Sequence, residues 1–393
     1  MARGCIVLAD APAALIELCG ISVLERLLRT LQRCGIARAT IASQTPEAIR
    51  AHLVSASWAR KELHIDVKDA ANAIVDLAQG GDEFFLVVRG DTIFDPRLLQ
   101  LLLKQNREVA LADSAAVLHR ERFAKLTRVE IPNGLPKIDI DDLPQYSPAL
   151  RRNLRSFYFS PAALEDKPRV ERELIDATQK GAQDFPAMLH APIEKSLVAR
   201  LCQTLITPHQ LTVTWIILAF AVTALFATGH FAWGIALAFV IGILDGLDGK
   251  LARLRVETSN IGKLEHRFDS FFEVAWPSAI ALYLRQSSQL PNALAYLALL
   301  IAGQIVDGLA KGAIYNAFAQ AMRPSNLLDR VVRFFGGRRN VVVWIFLIAV
   351  LFGAPVTGFI VMAWWQIATA IVDLAHAVWL RSRLRKSQSI ARR

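Results

Sequence analysis

Asp245-Gly246-Leu247-Asp248-Gly249-Lys250-Leu251-Ala252-Arg253 lies within a long apolar run of this 393-residue chain, and its reading decides the rest. On a helix, Asp245 and Asp248 are three apart and share a face. Eight residues separate Arg253 from Gly262, and Glu265-His266-Arg267-Phe268-Asp269 follows, where Glu265 and Asp269 are four apart and share a face in turn. Two such helices bring four carboxylates together at membrane depth. Isolated charges there are costly, so the pattern points to a shared ligand, most simply a divalent metal. Arg253 adds a cation suited to phosphate.

Working outward, hydrophobic residues make up 53% of the chain, unevenly distributed. Residues 1–200 have the composition of a soluble domain, whereas 210–380 is dominated by apolar segments. Spans are expected near 208–229, 232–253, 264–285, 291–317, 340–355 and 357–380, the fifth being short for a full crossing. Basic residues fall on alternate connections: Arg255 and Lys263; Arg323, Arg330, Arg333, Arg338 and Arg339; and the tail from Arg381 to Arg393. The opposite connections hold at most Arg285. This bias places both termini in the cytoplasm, with the acidic cluster opening toward that side. It also accounts for much of the net charge of +10, together with attraction to anionic lipid, without any nucleic-acid partner. Met1-Ala2-Arg3 leads straight into a strand-like run, so no signal peptide is expected. Cys5, Cys19, Cys34 and Cys202 have no metal spacing and are expected to be free thiols. The Ala/Arg-rich composition fits a bacterial inner membrane.

The motif resembles the signature of the CDP-alcohol phosphatidyltransferase family, D-x-x-D-G-x-x-A-R-x8-G-x3-D-x3-D. Asp245, Asp248, Gly249, Ala252, Arg253 and Gly262 match its first half. In strict register the last two acids fall on His266 and Ser270; dropping one residue after Gly262 restores them as Glu265 and Asp269. The shifted register is preferred, with His266 as a substitute ligand. Thr207-Pro208-His209-Gln210-Leu211-Thr212 resembles the family's T-P-N-x-x-T entry to the first span, with His209 in place of Asn. The resemblance implies a six-helix transmembrane domain that moves a substituted phosphoryl group from a CDP-alcohol to an acceptor hydroxyl and releases CMP. It implies Mg²⁺ or Mn²⁺ on Asp245, Asp248, Glu265 and Asp269, with Asp269 as general base. Gly249, Ala252, Arg253 and Gly262 would meet the donor, and a homodimer is implied.

The N-terminal part alternates strand and helix signals. Cys5–Ala9, Ala39–Ala42 and Glu83–Val88 read as strands, and Val23–Cys34 as a helix stopped at Gly35. Such alternation predicts an α/β domain with a mostly parallel sheet. With "GISVLERLLRTLQRCGI" and "GDTIFDPRLL", the order of parts resembles nucleotidyltransferases. Where that family has a Gly-rich loop with Arg and Lys, Leu8–Glu17 has none of the three, so catalysis is expected to be lost. Asp91 stands where that family holds metal, or is a turn residue. Residues 1–165 thus read as a degenerate nucleotidyltransferase-like domain and 166–206 as a linker with an amphipathic interfacial helix. Residues 207–380 read as the six-span domain, and 381–393 as a basic cytoplasmic tail.

Further candidates are open. Lys250 would reach nucleotide or snorkel outward, and Glu273 lies one turn beyond Asp269. Asp307 is expected to pair with Lys311. Arg338 and Arg339 would bind an acceptor phosphate, bind a lipid headgroup or anchor the fifth span. Trp276, Trp364 and Trp365 read as lipid-facing or interface aromatics. The donor would be CDP-diacylglycerol with a small polar alcohol as acceptor, or a soluble CDP-alcohol with a lipid or polyol phosphate. The competing readings are a membrane pseudoenzyme that binds CDP-alcohol without turnover, and a transporter.

Overall fold

The computed structural model describes residues 4–391 except 57, 59–60, 127–129, 148, 182–183, 258–260, 320–330, 332–333 and 338; the side chains of 71, 142, 261–266, 315–319 and 383–391 are also outside the described set. Gly262, Glu265, His266 and Arg338 therefore lie outside the described side chains.

Near the N-terminus a six-stranded sheet is built from β1 (Gly4–Leu8), β2 (Arg38–Ser43), β3 (His64–Asp69), β4 (Phe84–Arg89), β5 (Val109–Leu111) and β6 (Ala115–His119). Its spatial order is β3-β2-β1-β4-β6-β5, parallel from β3 to β4, with the β5–β6 hairpin antiparallel at the edge. The central strands are buried on both faces, as parallel sheets require, which explains their continuous apolar runs. Helix α1 (Val23–Arg33) starts at Ser22, whose hydroxyl accepts from the Glu25 amide at 3.0 Å, and ends before Gly35, which takes φ +89°. Val23 to Leu31 is buried on every side, Glu25, Arg26 and Arg29 included. A helix so enclosed has a second neighbour besides its sheet.

That neighbour is the helical half. Helices α2 (Lys167–Ala177) and α3 (Phe185–Leu201) lead into α4 (Pro208–Ala227), α5 (Phe231–Leu254), α6 (Ile261–Gln286), α7 (Ala293–Ala319), α8 (Arg339–Leu351) and α9 (Pro355–Ala391). Four of them are long and apolar enough to cross a membrane among the described residues: Pro208–Ala227, Phe231–Leu254, Ala293–Ile314 and Pro355–Ser382. The shorter apolar α8 has 13 residues, which agrees with the short fifth span expected from the sequence. Trp233, Ile305, Leu309 and Ile371 face outward, while Trp215, Phe226, Phe272, Trp276 and Phe346 form the core. An apolar exterior around an apolar core is the pattern of a lipid-facing bundle. Trp276 is thus a correction to the sequence reading: it is buried, and its indole N–H donates to Ala219 O at 3.2 Å. Asp307 pairs with Lys311 as expected, at 2.5 Å, and Asp373 of α9 approaches the same ammonium at 3.7 Å.

A third apolar cluster joins the two halves. Leu18, Cys19 and Val23 pack with Val170, Leu174 and Val198, and with Leu247, Leu251 and Leu254 of α5. All four cysteines are free thiols.

Candidate active site

The first turn of α4 shows what the Thr207–Thr212 segment does. Thr207 caps the helix: its hydroxyl accepts from the Gln210 amide at 3.3 Å and its own amide donates to Gln210 Oε1 at 2.9 Å. Five residues on, Thr212 turns inward and donates its hydroxyl to Asp248 Oδ2 at 2.7 Å. Trp215 Nε1 donates to the same oxygen at 3.1 Å. Asp248 is 2% exposed, so these bonds hold a carboxylate whose burial alone would be expensive.

Asp245, three residues earlier on α5, and Asp269 on α6 converge on one cation from α8. Arg339 Nη2 lies 3.0 Å from Asp245 Oδ2, and its Nη1 lies 2.7 Å from Asp269 Oδ1. The guanidinium carbon stands 5.8 Å from the Trp215 ring and 5.7 Å from the Trp276 ring. Arg339 is therefore more than a membrane anchor. It is the positive charge between the acids of two helices. Two small cavities of about 20 Å³ each, walled mainly by apolar side chains, meet at Arg339 and Trp276. The first runs past His190, Phe239 and Trp344, and the second past Glu273 and Gln304.

The other motif residues are held from α2 and α3. Lys250 is buried and pairs with Glu194 at 2.8 Å, so it does not snorkel outward as one sequence reading had it. The reason is steric as well as electrostatic: a Cβ at Gly246, one turn before Lys250, would collide with the Glu194 carboxylate. Burial pushes Glu194 above the usual carboxylate range, and Lys250 partly offsets this. Arg253 Nε donates to Thr178 O at 2.9 Å, and its guanidinium lies over Gly249. Burial lowers His190 from the ordinary histidine value. On α3 the buried stripe is Pro186, His190, Glu194 and Val198, while Phe185, Met188, Leu189 and Ile193 face outward. The helix expected within 166–206 thus buries the polar His190 and Glu194 while Lys195 and Arg200 stay exposed.

Among the described residues no three His, Cys, Asp or Glu side chains gather as a metal-holding group. The donor set nonetheless suits a hard divalent cation: Asp245 and Asp269 are oxygen donors already gathered about one positive charge, with Asp248 alongside on α5. In the sheet domain, Asp91 is held by Arg89, with contacts of 2.9 and 2.6 Å. Sequence reasoning missed Trp215, Trp276 and Glu194 as parts of the site, and it quoted Thr212 without seeing its role. The T-x-x-x-x-T spacing was the available signal for Thr212.

Two partly buried acids from facing apolar helices thus meet at one arginine, with the buried Asp248 alongside. Residues 205–379, a little under half of the chain, match the family model described as CDP-alcohol phosphatidyltransferase. The bifunctional IPC transferase and DIPP synthase of Aquifex aeolicus (strain VF5) is 30% identical over 135 residues, covering 33% of this chain and 31% of that protein. The chain thus matches about a third of the length of that curated relative. Mycobacterium tuberculosis phosphatidylinositol phosphate synthase (PgsA1), solved with CDP-DAG bound, is 18% identical, covering 49% of this chain and 94% of that one at a TM-score of 0.37. HddC from Yersinia pseudotuberculosis is 11% identical, covering 44% of this chain and 99% of that one at a TM-score of 0.31.

Proposed function

We propose that the protein is an integral membrane phosphotransferase. It would move a substituted phosphoryl group from a CDP-alcohol to an acceptor hydroxyl and release CMP, in phospholipid or polyol-phosphodiester synthesis. The observation that carries this reading is the convergence of Asp245 and Asp269 on Arg339 beside the Thr212-held Asp248, within the family-matched segment.

Asp245, Asp248, Glu265 and Asp269 would hold Mg²⁺ or Mn²⁺. Bound there, the metal would neutralise the donor diphosphate and the charge growing on the leaving CMP. Gly249 and Ala252 would meet the nucleotide along α5, with the Arg253 guanidinium over Gly249 supplying charge to phosphate. An anionic group on the acceptor would take Arg339, releasing Asp269 to accept the hydroxyl proton.

In the same reading the bundle has six spans, with both termini cytoplasmic in a bacterial inner membrane. The division follows 1–165, 166–206, 207–380 and 381–393, and the active form is a homodimer. The test is CMP release by purified full-length protein in lipid vesicles, using a panel of CDP-alcohols, mixed acceptors and Mg²⁺ or Mn²⁺. Asp269→Asn should abolish turnover and spare donor binding. Equal loss of both would make Asp269 a metal ligand only, and donor binding without CMP from wild type would favour a pseudoenzyme.

A further inference from the structure

The last turn of α5 is gripped by residues that lie outside the family-matched segment 205–379. Lys250 pairs with Glu194, and Arg253 donates to Thr178 O. The two carbonyls that follow are taken by arginines of α1, more than two hundred residues away in the chain. Arg26 donates through Nη1 to Leu254 O and through Nη2 to Leu18 O at 3.0 Å. Arg29 donates through Nη1 to Arg255 O at 2.9 Å, approaches Glu257 at 3.5 Å, and is paired on its own helix with Glu25.

These are unusual places for arginine. Arg26 is 4% exposed and Arg29 is 1% exposed, and burying a guanidinium is costly unless its donors are used. Here Nη donors of both are used on the end of a helix, where the carbonyls lack intrahelical partners and the dipole is negative. The next residue extends the arrangement: Arg255 donates to the carbonyls of Leu201, Cys202, Thr204 and Ile206, fixing the α3–α4 connection. Gly20, at φ +78°, lets the turn before α1 approach so closely that a Cβ there would collide with Cys202 O.

We propose that the α/β domain is a built-in positioning module for the transferase site: Arg26 and Arg29 set the axial position of the helix that presents Asp245 and Asp248. This rests on the transferase reading of the site. The chain is rigid between the two points: Asp248 lies under two turns from Leu254, so a shift of the helix end moves the carboxylate with it. Arg26 and Arg29 are positioning residues and touch no reactant.

The experiment compares wild type, Arg26→Gln/Arg29→Gln and Arg26→Lys/Arg29→Lys as full-length proteins in lipid, by CMP release and by amide hydrogen exchange. In the Gln variant, exchange should rise across 248–257 and stay unchanged across β1, β2 and β4. Its kcat per folded molecule should fall by about 100-fold, the scale expected for a displacement of about 1 Å in a reacting group. The Lys variant, which keeps a cation at the helix end, should recover part of both. Wild-type kcat in the Gln variant, or unchanged exchange at 248–257, would overturn the proposal. If wild type releases no CMP from any donor, the transferase reading fails instead; the exchange arm then decides alone whether these arginines hold the helix end. If the Gln variant does not fold, the Lys variant decides by the same two readouts.

Discussion

Replacing Thr212 by Val probes the site without touching a charged group. The two side chains have nearly the same shape, so the change removes one O–H and little else. That hydroxyl has two acceptors within reach, Asp248 Oδ2 at 2.7 Å and Pro208 O at 3.1 Å. Its single proton goes to the shorter contact with the charged oxygen. A hydrogen bond to a charged group contributes about 1.5–3 kcal/mol. Trp215 Nε1 remains on the same oxygen, so the lower end applies, and about 1.5 kcal/mol corresponds to roughly tenfold. The same scale is expected when a group that orients a metal ligand is lost. The assay is CMP release titrated with Mn²⁺ at fixed donor and acceptor. Thr212→Val should raise the Mn²⁺ concentration needed for half activity by about tenfold. An unchanged Mn²⁺ dependence would refute the reasoning that Asp248 is a metal ligand held in place by Thr212.

Other perturbations test neighbouring parts of the account. Gly246→Ala should drive the Glu194 carboxylate off its seat and strand Lys250, costing about 3 kcal/mol as the low end for a broken buried pair; an unchanged Tm in lipid would contradict this. Arg339→Met should lower kcat/KM for an anionic acceptor by about a hundredfold while tightening Mn²⁺ binding, because Asp245 and Asp269 lose their shared cation. Weakened metal binding would show that Arg339 assists the metal rather than preceding the acceptor. Burial pushes the Cys5 thiol up to about 12 and the Cys34 thiol up to about 11. The folded chain therefore keeps both protons where the unfolded chain, near 9, has begun to lose them. Their contribution to stability is complete below about pH 9 and is lost as pH rises through 11 and 12. Cys5→Ala should flatten the alkaline limb of the stability curve, and an identical limb would count against a buried thiol.

The sequence disclosed what periodicity and local chemistry encode. Three parallel strands, α1 with its Gly35 stop, and the helix bearing Asp245 and Asp248 were legible because each signal lies within a few residues. Strand β3 was missed, since its exposed positions alternate with half-buried ones and give no apolar run. The β5–β6 hairpin was missed because β5 has three residues and β6, AAVLH, has only one β-branched residue. Trp276 was misplaced because an indole has the same composition whether it meets lipid or a buried carbonyl, and only tertiary packing separates the two. Arg339 reads as one more basic residue in a positive loop. Its role depends on α8 delivering it to acids 94 and 70 residues away, a contact no local pattern reports. The same holds for Arg26 and Arg29, which look like the polar face of an ordinary amphipathic helix until α5 is placed against it.

The most direct test of the central claim counts two products in one reaction. Wild type and Asp248→Asn, each full-length in vesicles with Mn²⁺, are given the CDP-alcohol panel and mixed acceptors, and CMP and new phosphodiester are both quantified. The expected result is equimolar CMP and phosphodiester from wild type, abolished by chelation and by Asp248→Asn. Background levels of both products from wild type and variant alike, across every donor that binds, would contradict a transferase built on Asp245, Asp248 and Asp269.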